Sequence, residues 1–122
     1  MSDSMSRSRN QAFLYMALGF AVWAVAFSIL YGVQGTGCEL GWHQQSIGPL
    51  SVLRILLIVI WAAHLAILAW LYWRCRGALA VTAARAMPEA FLWRAASVLT
   101  VTAAAATIWI GMALLVPSMC TA

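Results

Sequence analysis

Polar and apolar positions divide the chain into three long apolar runs joined by two short polar segments. The runs cover residues 12–33 (AFLYMALGFAVWAVAFSILYGV), 52–73 and 95–116. The first and third carry no charge, and the second contains only Arg54 and His64. At 1.5 Å per residue, about 20 residues cross a hydrocarbon core of about 30 Å. Lipid offers no water to backbone N–H and C=O groups, so each run must close its hydrogen bonds internally as a helix. The expected fold is all-α: an integral membrane protein with three transmembrane helices.

The segments between the runs read as connections. Residues 34–50 (QGTGCELGWHQQSIGPL) carry Gly35, Gly37, Gly41, Gly48 and Pro49 and predict a loop. Residues 74–89 (RCRGALAVTAARAMPE) predict a short surface helix over 78–87, ended by Pro88. Residues 1–10, with four serines and two arginines, predict a disordered tail ahead of a single three-helix domain over 11–122.

Composition sharpens this picture. Of 122 residues, 65% are hydrophobic and 8% charged, against about 45–50% and about 25% in soluble domains. That excludes a water-soluble enzyme, a disordered chain and a disulfide-rich secreted miniprotein. The formal net charge of +4 is unevenly spread. Arg7, Arg9, Arg74, Arg76, Arg85 and Arg94 fall on one side of the spans, and Arg54 alone marks the other. The positive-inside rule makes the first side cytoplasmic, with the N-terminus inside and the C-terminus outside. Trp70, Tyr72, Trp73 and Trp93 fit interfacial anchors on the cytoplasmic side. Topology accounts for the basic balance, and no nucleic-acid role is needed. Every basic residue is Arg and alanine is abundant, a pattern associated with GC-rich bacterial genomes, and the expected location is a bacterial inner membrane with a periplasmic outer face. The first run is too long for the apolar region of a cleaved signal. The Gly35-Thr36-Gly37-Cys38 run departs from a lipoprotein cleavage box at Gly35.

Cys75 lies between Arg74 and Arg76 on the cytoplasmic side, where thiols stay reduced. Cys38 and Cys120 both lie just beyond span ends on the outer side. A Cys38–Cys120 disulfide there would close a loop of about 80 residues and tie the third span to the first. A competing reading takes Cys38, His43, Met119 and Cys120 as a soft ligand set for Cu(I). The two exclude each other while the bridge is closed.

The spans themselves offer little chemistry. Asp3, Glu39 and Glu89 all lie outside them, so no carboxylate is available for ion translocation. Ser28 and Ser97 are single hydroxyls without an acid–base partner, suited to helix packing. No nucleophile and base are paired, and the chain is expected not to be an enzyme. Arg54 ends its span and snorkels to lipid headgroups, or meets an anion or quinone headgroup with Glu39 as counter-ion. His64 falls near the bilayer midplane, on the side of its helix bearing Leu53, Leu57, Ile60, Ile67, Leu68 and Leu71. Ala62, Ala66 and Ala69 lie opposite.

Small residues also form stripes at Ala17, Ala21, Ala24 and Ser28, and at Ala96, Thr100, Ala103, Thr107 and Gly111. If these seams meet, His64 faces outward and needs a protein partner or a haem to cover it. If the bulky face is internal, His64 can bond Thr102, Thr107 or the Trp23 indole, and the alanine seam is left for a partner.

In size and three-span layout the chain resembles the membrane anchors of succinate dehydrogenase, which carry a haem-ligating histidine in a span. It departs from them after His64, where residues 65–73 read LAILAWLYW and lack the anchors' Asp-Tyr pair. The intramembrane Glu and Asn of small diacylglycerol kinases and the first-span carboxylate of small multidrug exporters have no counterpart. The leading expectation is a non-catalytic accessory or assembly subunit of a larger inner-membrane complex, a respiratory complex among the candidates. It would contact other membrane subunits or further copies of itself. The alternatives are a haem- or quinone-binding anchor of an oxidoreductase and an outer-face copper-handling factor.

Overall fold

The computed structural model describes residues 2–82, 87–116 and 120. Helix α1 (Ser2–Glu39) is followed by a two-residue hairpin, β1 (Ser46–Ile47) and β2 (Leu50–Ser51). Helix α2 (Val52–Thr82) and helix α3 (Met87–Met112) come next, and a 3₁₀ turn (Ala113–Leu115) ends the sequence of elements. Three helices, Ser2–Glu39, Val52–Thr82 and Pro88–Leu115, are long and apolar enough to cross a membrane. The three-helix expectation holds.

The helices overrun the apolar runs at both ends, which corrects three expectations. Residues 2–10 are helical rather than disordered. Extending an existing helix costs far less than nucleating one. Asp3 complements the positive N-terminal end of α1, and Trp93 Nε1 donates to Ser8 Oγ at 3.3 Å. Residues 34–39, expected in a loop, form the last turns of α1. The predicted surface helix at 78–87 is instead the end of α2, which continues unbroken to Thr82. Arg74 over Trp70 and Arg76 over Tyr72 stack one turn apart along this extension. Pro88 opens α3 rather than closing a helix, since a first-turn residue has no N–H partner to lose. Residues 83–86, Arg85 among them, lie outside the described residues.

Glycine stops α1. Gly41 takes φ +72°, Trp42 N donates to Gly37 O at 3.0 Å and Gly41 N donates to Cys38 O at 3.3 Å. This is the Schellman pattern, which satisfies the last carbonyls and folds the next residue back onto the helix. Trp42 accordingly packs against the core. Gly48, at φ +66°, takes the first central position of the hairpin, where a type II′ turn needs a positive φ.

Three apolar clusters run along the bundle. Ala12, Cys75, Trp93 and Ala96 meet at the end holding most of the arginines. Leu68, Leu71 and Ala103 fill the middle, with Trp23 packed against them. Leu30, Leu53, Leu57 and Leu114 fill the other end. Early α1 thus meets late α2 and early α3, so successive helices run in opposite directions.

The small-residue stripe of α3 lies inside, with Ala96, Thr100, Ala103, Thr107 and Gly111 all buried. That of α1 does not: Ala17, Ala21 and Ser28 are exposed. The buried stripe of α1 is Ala12, Gly19, Ala26, Leu30 and Gly37. Its steps of seven and four keep one seam toward the neighbours. Gly19 admits Thr100, whose Oγ1 would stand 3.4 Å from a Cβ there. Gly111 admits the Trp61 indole, which a Cβ would strike. That indole donates from Nε1 to Thr107 O at 2.8 Å, fixing α2 against α3.

Gly111→Val should therefore lower stability by about 1–3 kcal/mol, since the ring must leave its notch. Gly32→Ala, where nothing stands within 4 Å of the added Cβ, should stay within about 0.5 kcal/mol of the parent. Unfolding of the detergent-solubilised protein followed by tryptophan fluorescence measures both.

Candidate functional site

Three places bring polar chemistry together: the disulfide end, the middle of α2, and clefts at the arginine-rich end.

At the first, Cys38 in the last turn of α1 is joined to Cys120 by a disulfide with a Cα–Cα separation of 5.6 Å, closing a sequence separation of 82. The Schellman turn sets this up, because it holds Cys38 beside the cluster of Leu30, Leu53, Leu57 and Leu114 that Cys120 also joins. With both sulfurs in one bond, neither is a thiolate for Cu(I). Met119 of the proposed copper set lies outside the described residues, and His43 is half-buried with Nδ1 unpartnered. Among the described residues, no three His, Cys, Asp or Glu side chains converge on a point that could hold a metal.

Arg54 has a part within the chain that the sequence did not foretell. Its Nη2 donates to Val116 O at 2.8 Å, while its Nε is buried without a partner. Val116 has left the helical region, with φ −72° and ψ 134°, as the residue before Pro117 is pressed to do. A guanidinium placed on the last carbonyls also complements the negative C-terminal end of a helix. Arg54 therefore caps the third helix, and Glu39 stays exposed.

The bulky face of α2 is internal at Leu53, Leu57, Leu68 and Leu71, which are buried, while Ile67 at its edge is exposed. His64 shares that face and is half-buried, while Ala62, Ala63, Ala66 and Ala69 are exposed. Of the two arrangements open from the sequence, the chain adopts the one with alanines outward. The imidazole does not bond Thr102, Thr107 or Trp23. Its Nδ1 lies 2.8 Å from Ile60 O, one turn back in its own helix, and since a carbonyl only accepts, Nδ1 carries the proton. The Trp23 indole N–H is buried without a partner. His64 consequently needs no second molecule to satisfy Nδ1.

The intramembrane hydroxyls follow the same rule. Ser28, Ser97, Thr100, Thr102 and Thr107 each donate to the carbonyl four residues earlier, at 2.8–2.9 Å. Such bonds close within one helix and leave no hydroxyl aligned with a base. Sequence reasoning placed Ser97 correctly in the helix packing, where it is buried. Ser28 is exposed.

At the arginine-rich end a cleft of about 500 Å³ opens between the starts of α1 and α3 and the end of α2. Ser8, Gln11, Tyr15, Trp73, Arg74 and Trp93 are among its walls. A second cleft lies against Arg9 and Glu89. Sequence reading missed both, because the helical extensions that form their walls were read as a tail and a connector.

Alkylation of the unfolded, unreduced protein should label Cys75 alone among the cysteines, and prior reduction should open Cys38 and Cys120 to the reagent. Intact-mass measurement reads the difference. Comparison with protein-family models, curated proteins and solved structures finds no match to this chain.

Proposed function

We propose that this chain is a non-catalytic, multi-pass subunit that supports a larger complex in a bacterial inner membrane, a respiratory complex among the candidates. On this reading its arginine-rich end faces the cytoplasm, in keeping with the bias of Arg7, Arg9, Arg74, Arg76 and Arg94. The observation that carries the proposal is the outward alanine face of α2, formed by Ala62, Ala66 and Ala69. Lipid tails gain nothing from small side chains, whereas a second helix approaches closely over them and gains van der Waals contact. The hydroxyls bonded within their own helices and the self-bonded imidazole agree with a structural rather than a chemical role.

Ala66→Phe tests this directly. Purification in mild detergent should recover defined membrane subunits, or a second copy, with the parent chain. The variant should lose at least about tenfold of that recovery by blocking close helix approach, while keeping its disulfide and its thermal stability. A parent chain that purifies as a lone monomer, or full recovery with Ala66→Phe, overturns the proposal.

One observation favours a second reading, a haem-bearing anchor. Histidine ligands commonly donate their other ring N–H to a backbone carbonyl, as His64 Nδ1 does to Ile60, and Nε2 is then the ligating atom. No other histidine lies within a span, so another chain would supply the second axial ligand. A Soret band in the purified complex that disappears in His64→Leu would establish it. A colourless preparation removes it.

A further inference from the structure

Glu89 stands in the first turn of α3, only 7% exposed, and its Oε1 is buried without a hydrogen-bond partner. A carboxylate oxygen shut away from water with no donor is costly, so a donor from outside the chain is expected there. The same side chain lines a cleft of about 280 Å³. Ser2, Ser6 and Arg9 of α1 form one wall, and Pro88 and Leu92 of α3 complete it. Glu89, Arg9, two serines and an apolar surface therefore border a single space, with Glu89 Oε1 covered at its edge.

Depth adds a second constraint. Counted from the apolar runs that begin at Ala12 and Ala95, Arg9 lies about 4.5 Å and Glu89 about 9 Å toward the aqueous phase, at 1.5 Å per residue. The headgroup layer on each side of a bilayer is roughly 5–8 Å thick. The cleft thus reaches from within that layer to its outer edge, with its cation nearer the hydrocarbon and its buried anion farther out. A zwitterionic phospholipid has its phosphate nearer the acyl chains and its ammonium beyond.

We propose that this cleft seats the headgroup of a phospholipid with a primary ammonium, phosphatidylethanolamine in class. On seating, the headgroup displaces the side chains that cover Glu89 Oε1, the ammonium donates to that oxygen, and Arg9 donates to the phosphate. Selectivity follows from the chemistry of the two ends. A trimethylated ammonium has no N–H to give the orphan oxygen, and a glycerol headgroup brings no cation to the carboxylate.

The test uses the full chain in detergent micelles and native mass spectrometry. The probes are phosphatidylethanolamine, phosphatidylcholine and phosphatidylglycerol of identical acyl chains, with soluble phosphoethanolamine alongside. The parent protein should retain phosphatidylethanolamine at least about tenfold better than phosphatidylcholine, the scale of one charge-assisted hydrogen bond. That comparison needs no mutation. Glu89→Gln should abolish the preference, and Arg9→Gln should weaken phosphatidylethanolamine and phosphatidylglycerol together.

Equal retention of the ethanolamine and choline lipids overturns the proposal, as does a preference that survives Glu89→Gln. Equal retention of phosphatidylglycerol and phosphatidylethanolamine marks a site for phosphate alone and also overturns it. If soluble phosphoethanolamine binds as tightly as the lipid, the ligand is not a membrane component and the assignment fails.

Discussion

The small-residue stripe of α3 is the surface on which the bundle is assembled. In lipid, apolar side chains gain little by leaving the solvent for one another, so helices associate through close packing and a few directional bonds. The stripe from Ala96 to Gly111 provides both. Thr100 meets Gly19 of α1, and Gly111 receives the Trp61 ring of α2. The indole N–H then takes the Thr107 carbonyl. That carbonyl belongs to a residue whose hydroxyl is already turned back to Ala103 O, so the interhelical bond leaves the hydroxyl's own pairing intact.

The disulfide end closes the arrangement with three devices that reinforce one another. Gly41 and the bonds to Gly37 and Cys38 turn the chain back at the end of α1. The Cys38–Cys120 bond ties the residues after α3 to that turn, and Arg54 at the start of α2 holds the carbonyl on which the third helix ends. Each helix thus has one end fixed to another. At the opposite end the contacts are looser in kind: a Trp93–Ser8 hydrogen bond, the packing around Cys75, and clefts lined by arginine, serine and aromatic side chains.

Inside the spans, the hydroxyls and the imidazole bond within their own helices, while the Trp61 indole and Arg54 reach across to α3 and the residues after it. Every serine and threonine there donates one turn back, and His64 does the same through Nδ1. Among the described residues, the alanine face of α2 is a lateral surface that packs against no other helix of the chain. That face is where the proposed partner helix would pack, and the cleft beside Glu89 is where the proposed headgroup would sit.

The sequence by itself determined that there are three membrane-length helices, because backbone satisfaction in lipid allows nothing else for apolar runs of that length. It also determined that α3 presents its small residues on one stripe and that His64 and the alanines of α2 lie on opposite faces, since both follow from a 3.6-residue period. Periodicity marks faces without saying which face turns inward. Two candidate stripes exist on α1, and contacts with the other helices, Thr100 opposite Gly19 and Leu53 opposite Gly37 among them, bury the one through Ala12, Gly19 and Ala26. The Cys38–Cys120 pair was legible as two cysteines near one surface, but its closure required the turn at Gly41. The donor to Val116 O, the acceptor for His64 and the burial of Glu89 were decided by tertiary structure alone. Each depends on distances between atoms that sequence spacing does not fix: how far α1 and α2 continue beyond the lipid, and how closely the small side chains of α3 let them approach.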